Sequence, residues 1–172
     1  LTTRLKAEQI RFRYDNSEQE TPGWKFNYYE MKGVPIRLEV GPKDVAKNQV
    51  VLVRRDPTEM EPIGRKQPIP VDNAPTVIKN LLEEIQTNLF KRAQAFRENN
   101  TFQAENYDQF KELIEAGGFI RVFWAGNSAD EARIQEETKA TIRVIPFEQK
   151  EKGTCFYTGK TTDRIVIFAR AY

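Results

Sequence analysis

Apolar residues recur along this chain at helical and at alternating spacings, and the changes of spacing mark out its elements. Leu1 and Leu5 stand four residues apart within LTTRLKAEQ, as on one face of a helix. Ile10 to Tyr14 (IRFRY) alternates apolar and basic residues, which predicts a half-buried strand. Thr21 is a good N-cap and Pro22 a good first helical residue, so a helix is predicted from there to about Lys32. Trp24, Tyr28 and Met31 fall on one stripe of it and are expected to face the core. Phe26 and Glu30 lie together on a different face. Gly33 ends the helix, and Pro35 bars its continuation.

Two short β-branched strands follow, Ile36 to Val40 and Val50 to Arg54. The turn Gly41-Pro42-Lys43-Asp44 joins them and opens one helical turn to Lys47. Residues 56–70 carry four prolines and predict at most an edge hairpin, because proline lacks the donor a central strand needs. From Asp72 or Asn73 to about Asn99, the residues Val77, Ile78, Leu81, Leu82, Ile85, Leu89, Ala93 and Phe96 repeat with helical period. A second set of elements comes after it. Asn106 to Ala116 is a helix with Tyr107, Phe110, Leu113 and Ile114 on one face, and Gly117-Gly118 stops it. Phe119 to Trp124 is a strand, Ser128 to Thr138 a charged helix, and Thr141 to Pro146 and Arg164 to Arg170 are two further strands. The elements fall into two modules, residues 1–72 and 101–172, joined by a linking helix over 73–100.

Composition narrows the function. A chain that is 39% hydrophobic and 30% charged is globular, and no apolar run approaches the ~18 residues of a membrane span. It starts at Leu1 rather than Met, which points to a piece of a longer protein, and no signal peptide is visible. The net charge of +2 neither argues for nucleic acid nor against it, since local patches decide. Histidine is absent, so Ser-His-Asp and Cys-His catalysis and histidine-bearing metal sites are excluded. A single cysteine, Cys155, excludes an internal disulfide and an all-cysteine zinc site. No phosphate-binding glycine loop occurs, and no nucleophile–base pair is visible.

One surface suits an unstacked base. Phe26 and Glu30, Arg37 on the next strand, and Lys43-Asp44 in the following turn are placed to converge. An aromatic ring stacks on a base for ~1–3 kcal/mol. A carboxylate accepts from the N1–H and N2–H₂ edge of guanine, and arginine or lysine donates to its O6 and N7. The same residues also read as a core phenylalanine beside a solvated ion pair worth ~0–1 kcal/mol, the commoner fate of charged surface residues.

Several blocks carry a family resemblance: TPGWKFNYYEMKGVPIRLEVGPKD (21–44), VVLVRRD (50–56), ETKATIRVIPF (137–147) and the ending FARAY. In this order they resemble the C-terminal part of prolyl-tRNA synthetase of the archaeal/eukaryotic-like form. The resemblance implies an N-terminally truncated, mixed-sheet anticodon-binding domain of class II aminoacyl-tRNA synthetases, then a small α/β C-terminal domain. It carries guanine-reading roles onto Phe26, Glu30, Arg37, Lys43 and Asp44. Proline codons are CCN, so two anticodon bases are guanine, which agrees. It implies a cytoplasmic parent enzyme, a homodimer using ATP and magnesium, whose catalytic domain lies outside this chain. Proline tRNA and that domain are then the partners, with Tyr172 placed to contact the latter. The family's zinc ligands match Ala125, Asp130, Cys155 and Thr158, so only one sulfur is kept and zinc is not expected. The alternative is a structural or dimer-supporting appendage with little RNA affinity.

Overall fold

The computed structural model describes residues 1–56, 65–147, 149 and 151–170. Tyr172 and residues 57–64, the middle of the proline-rich excursion, lie outside them. The chain divides into two compact units, Leu1–Lys91 and Arg92–Tyr172.

The first unit contains α1 (Thr2–Ala7), α2 (Pro22–Met31), β1 (Ile36–Glu39), α3 (Pro42–Ala46), β2 (Gln49–Arg54), β3 (Lys66–Pro70) and the larger part of α4 (Ala74–Asn99). Its described strands form an antiparallel sheet in the order β1-β2-β3. β3 is the edge strand expected of a proline-bearing segment, with Pro68 and Pro70 in its ladder. Alternation gives the sheet two unlike faces. Ile36, Leu38, Val50, Leu52 and Ile69 turn to one side and pack with Leu5 of α1 and Ala74, Ile78, Leu81 and Ile85 of α4. Arg37, Glu39, Val51 and Val53 alternate with them and turn to the other. Burial on α4 stops at Ile85, whereas Phe90 and Phe96 are exposed, so the helical period of the sequence runs further than the buried stripe.

Two expectations fail here. Ile10 to Tyr14 forms no strand. Only Ile10 packs on the core, its N–H donates to the carbonyl of Leu5, and among the described residues no strand pairs with this segment. The chain is tied instead at Asp15, which accepts from Lys25 Nζ at 2.9 Å and from the Tyr29 hydroxyl at 2.8 Å. Those bonds, Lys25 first, lower its carboxyl pKa to about 2. Trp24, Tyr28 and Met31 do not face the core: they are 48%, 41% and 89% exposed. Trp24 stacks on Tyr28 with ring centroids 5.0 Å apart. The helix half-buries Lys25, Phe26, Tyr29 and Glu30 instead. The reason lies in β1, whose residues on that side are Arg37 and Glu39, so charge meets charge where an apolar seam was expected.

The second unit holds the end of α4, then β4 (Thr101–Gln103), α5 (Tyr107–Ala116), β5 (Phe119–Phe123), α6 (Ser128–Thr138), β6 (Ala140–Val144), β7 (Gly153–Thr154), β8 (Thr161–Thr162) and β9 (Ile165–Arg170). Its sheet is mixed, in the order β4-β5-β9-β6, with β4 parallel to β5 and the other pairs antiparallel. The short β4 and the β7–β8 hairpin have too few residues to show a period. Phe110, Trp124, Phe156 and Phe168 close the core, with Phe110 and Phe156 centroids 4.8 Å apart. Among the described residues no helix is long and apolar enough to cross a membrane.

Candidate nucleic-acid interface

The site begins with how α2 starts and stops. Thr21 Oγ1 accepts the Trp24 N–H at 3.4 Å, and Pro22 occupies the first turn, where its missing N–H costs nothing. At the other end Gly33 takes φ +81°, a conformation that side chains resist, and its N–H returns to Glu30 O at 3.0 Å. Pro35 then forces the chain straight into β1. This tight return lays Arg37 of β1 against the inward face of α2.

Phe26, Glu30 and Arg37 are thereby brought together. The Arg37 guanidinium lies over the Phe26 ring, 3.9 Å from its centroid. Its Nη1 donates to Glu30 Oε1, and its Nε donates to Glu39 Oε1 at 3.0 Å. Lys66 of β3 closes the row by donating to Glu39 Oε2 at 2.6 Å. The cluster is part-wet, with the Arg37 side chain 19% and the Glu30 side chain 37% exposed. It joins an aromatic face, a carboxylate and a cation within one reach, which is what a flat, polar-edged ligand requires.

Lys43 and Asp44 sit apart from this trio in α3. No hydrogen bond, ion pair or ring contact among the described residues links them to it. Asp44 is occupied locally: its Oδ2 accepts the Gly41 N–H at 3.0 Å and its Oδ1 accepts from Gln49 Nε2 at 2.9 Å. These bonds, Gln49 first, hold its carboxyl below the usual range, and the nearby charges of Lys47 and Lys66 add to the effect. Lys66 is thus a link between the two groups, next to Glu39 and close enough to Asp44 for its charge to count. Glu39 and Lys66 are bonded into the cluster, and the sequence read for ligand chemistry does not single them out. The signal for Glu39 was present: two residues on from Arg37 in a strand, it had to share its face.

The four positions matched to zinc do not fit the metal. Ala125 has no donor atom, Asp130 Oδ2 caps α6 by accepting the Asn127 N–H at 3.0 Å, and Thr158 offers its N–H to Cys155 Sγ at 3.4 Å. Burial pushes the Cys155 thiol up, but its hydrogen bonds, led by Thr158, bring it below the ordinary value. Four nitrogen, sulfur or carboxylate ligands are needed, and this set supplies too few. Ring packing of Phe156 against Phe110, Trp124 and Phe168 holds the region instead.

Comparison with known proteins accounts for both units. Residues 1–81 match the family model described as "Anticodon binding domain", and residues 107–172 match "Prolyl-tRNA synthetase, C-terminal". A proline–tRNA ligase of Chloroflexus aurantiacus is 54% identical over 165 residues, which is 95% of this chain and 34% of that protein. One from Roseiflexus is 49% identical over 173 residues, covering 98% of this chain and 35% of the relative. One from Bacteroides fragilis is 45% identical over 177 residues, covering 100% and 34%. The chain therefore spans about a third of the length of the curated relatives it matches.

Proposed function

We propose that this chain, which carries the anticodon-binding and C-terminal domains of the prolyl-tRNA synthetase family, is the tRNA-binding part of a proline–tRNA ligase and reads the two guanines of the proline anticodon. The observation that supports this most is the Phe26–Arg37–Glu30 cluster. A guanidinium and the N1–C2–N2 edge of guanine present similar flat N–H arrays to a carboxylate. In the free chain Arg37 fills the place this reading gives to a guanine, over the Phe26 ring and donating to Glu30. Binding is then an exchange of partners. Guanine takes the Phe26 face and gives its N1–H and N2–H₂ to Glu30. Arg37, released but still tethered by Glu39, donates to O6 and N7.

The magnitudes favour the exchange. What is given up is a part-exposed cation–π contact and an ion pair, about 1 kcal/mol each. What is gained is base stacking at about 1–3 kcal/mol and a base-edge pairing of about 1–3 kcal/mol. Lys43 and Asp44 serve the other guanine in this reading. Each Asp44 oxygen keeps a second lone pair beyond the bond it already accepts. The chemistry of the parent enzyme, activating proline with ATP and magnesium and joining it to tRNA, belongs to the two-thirds of the relatives that this chain does not span. Its partners are proline tRNA, a catalytic domain in the same polypeptide and a second copy in a cytoplasmic homodimer.

Titration of the 172-residue chain with proline tRNA, and with a version whose anticodon guanines are replaced by adenines, tests the proposal. Preference for the guanine form by a factor of ten or more, about 1.4 kcal/mol, is expected. Equal binding of both would sink it in favour of a structural appendage.

A further inference from the structure

The site contains a cation that the guanine reading leaves idle. Arg55 follows the last residue of β2, and its N–H still donates to Pro35 O at 3.0 Å, extending the ladder by one step. Alternation puts its side chain on the face that carries Val53 and Arg37. With Glu30, Val34, Pro35 and Arg37 it lines a shallow cleft beside the Phe26 cluster. The guanidinium lies over the bare backbone of Gly33, where an added Cβ would come within 3.1 Å of Nη1.

Its neighbours are neutralised and it is not. Arg54 binds Asp56 and Glu84, and Arg37 binds Glu30 and Glu39. Among the described residues the half-buried Arg55 guanidinium has neither a carboxylate nor a hydrogen-bond acceptor. An arginine that is part-desolvated and unpaired in a cleft is ready for an anion, and its planar fork matches the oxygens of a phosphate.

We infer that Arg55 holds an RNA phosphate next to the base that Phe26 and Glu30 take. This rests on the guanine reading for its place in the complex. A phosphate fits better than a second base edge, because Glu30 and Arg37 between them already satisfy both edges of one guanine. The plain alternative is a brace: a cation near the C-terminal end of α2 is favoured by the helix dipole without any ligand.

The full chain is titrated with two RNA stem–loops, one carrying the loop guanines and one with adenines in their place, across a salt series. Arg55→Gln is expected to weaken binding of both RNAs by the same factor, about tenfold, and to reduce the slope of log K against log salt by about 0.7. Arg55→Lys should keep most of the slope. An unchanged affinity and slope with a lowered melting temperature would make Arg55 a brace and overturn the inference. A loss confined to the guanine RNA would make it a base reader and overturn it too. If the unsubstituted chain binds both RNAs alike, the guanine reading fails while the slope still judges Arg55. If it binds neither, both fail. Should Arg55→Gln not fold, an arginine-directed dicarbonyl reagent decides on the unaltered chain: RNA should protect Arg55, and full reactivity in the complex overturns the contact.

Discussion

Arg37 and Arg54 sit on opposite faces of one three-stranded sheet, and each binds carboxylates, but to different ends. Arg54 meets Asp56 through two parallel bonds, Nε to Oδ1 and Nη2 to Oδ2, both 2.9 Å, and reaches Glu84 of α4 at 2.7 Å. The Arg54 and Asp56 side chains are only 6% and 3% exposed. Arg37 divides itself between Glu30 and Glu39, with single bonds to each and water at hand. A buried bidentate pair cannot change partners without stranding a charge away from water. A part-wet pair can, because solvent and an incoming ligand cover the transition. The sheet thus uses the same chemistry as a lock on its α4 side and as an exchangeable contact on its α2 side.

The largest effect should come from the lock. Asp56→Asn removes the bidentate carboxylate of the buried Arg54 and leaves it Glu84 of α4 among the described residues, and a urea titration should record a loss of about 3 kcal/mol, the lower end for a broken buried pair. Arg54 holds the Asp56 carboxyl below the ordinary range. That stabilisation is fully present above the ordinary carboxylate pKa and is lost as pH falls through the lowered value. The acid limb of unfolding should therefore be shallower in Asp56→Asn. A loss under 1 kcal/mol would erase the distinction between the two arginines.

Glu30→Gln inverts the pattern. An amide can replace only part of the acceptor pair that guanine's two donors require. Preference for guanine over adenine in the loop should fall by about 2 kcal/mol, with stability changed by no more than about 1 kcal/mol. If stability falls instead and preference stays, Glu30 is a structural partner of Arg37 only. Phe26→Ala is the milder companion. Stacking does not distinguish bases, so about 1 kcal/mol should be lost for the guanine and adenine RNAs alike. A loss restricted to guanine would mean the ring shapes the edge contacts instead of carrying the base.

Much of this division could be read in the sequence, though not all of it. The cap, proline and glycine signals of α2 fixed its ends, and the i, i+4 spacing put Phe26 with Glu30. Alternation along β1 and β2 separated the two faces. The apolar stripe of α2 misled, because Trp24, Tyr28 and Met31 are periodic but have nothing apolar to face: the opposing strand presents Arg37 and Glu39. Ile10 to Tyr14 misled for the complementary reason, since alternation states a preference and a ladder needs a neighbour. Arg54 and Arg55 are adjacent and alike in the sequence. Only the pairing of β2 with β1, and the reach of Asp56 and Glu84, decide that one is locked and the other open. The separation of Asp44 from the Phe26 cluster depends on a cap and on Gln49, five residues on, neither of which a search for ligand-binding groups brings forward.

The smallest effect tests how Arg37 is held while it changes partners. Lys66 is 60% exposed and donates to Glu39 Oε2, while Arg37 uses Oε1 of the same carboxylate. Lys66→Ala leaves Glu39 wholly to Arg37, strengthening the tether slightly without altering any group that meets the base. An exposed pair of this kind is worth about 0.5 kcal/mol, so both stability and guanine preference should move by no more than that. Overall RNA affinity should decline a little and equally for both loops, through the loss of one positive charge at the rim. If Lys66→Ala matched Glu30→Gln in its cost to guanine preference, the exchangeable contact would extend past Glu39 to β3, and Arg37 would be one member of a wider reading surface rather than its pivot.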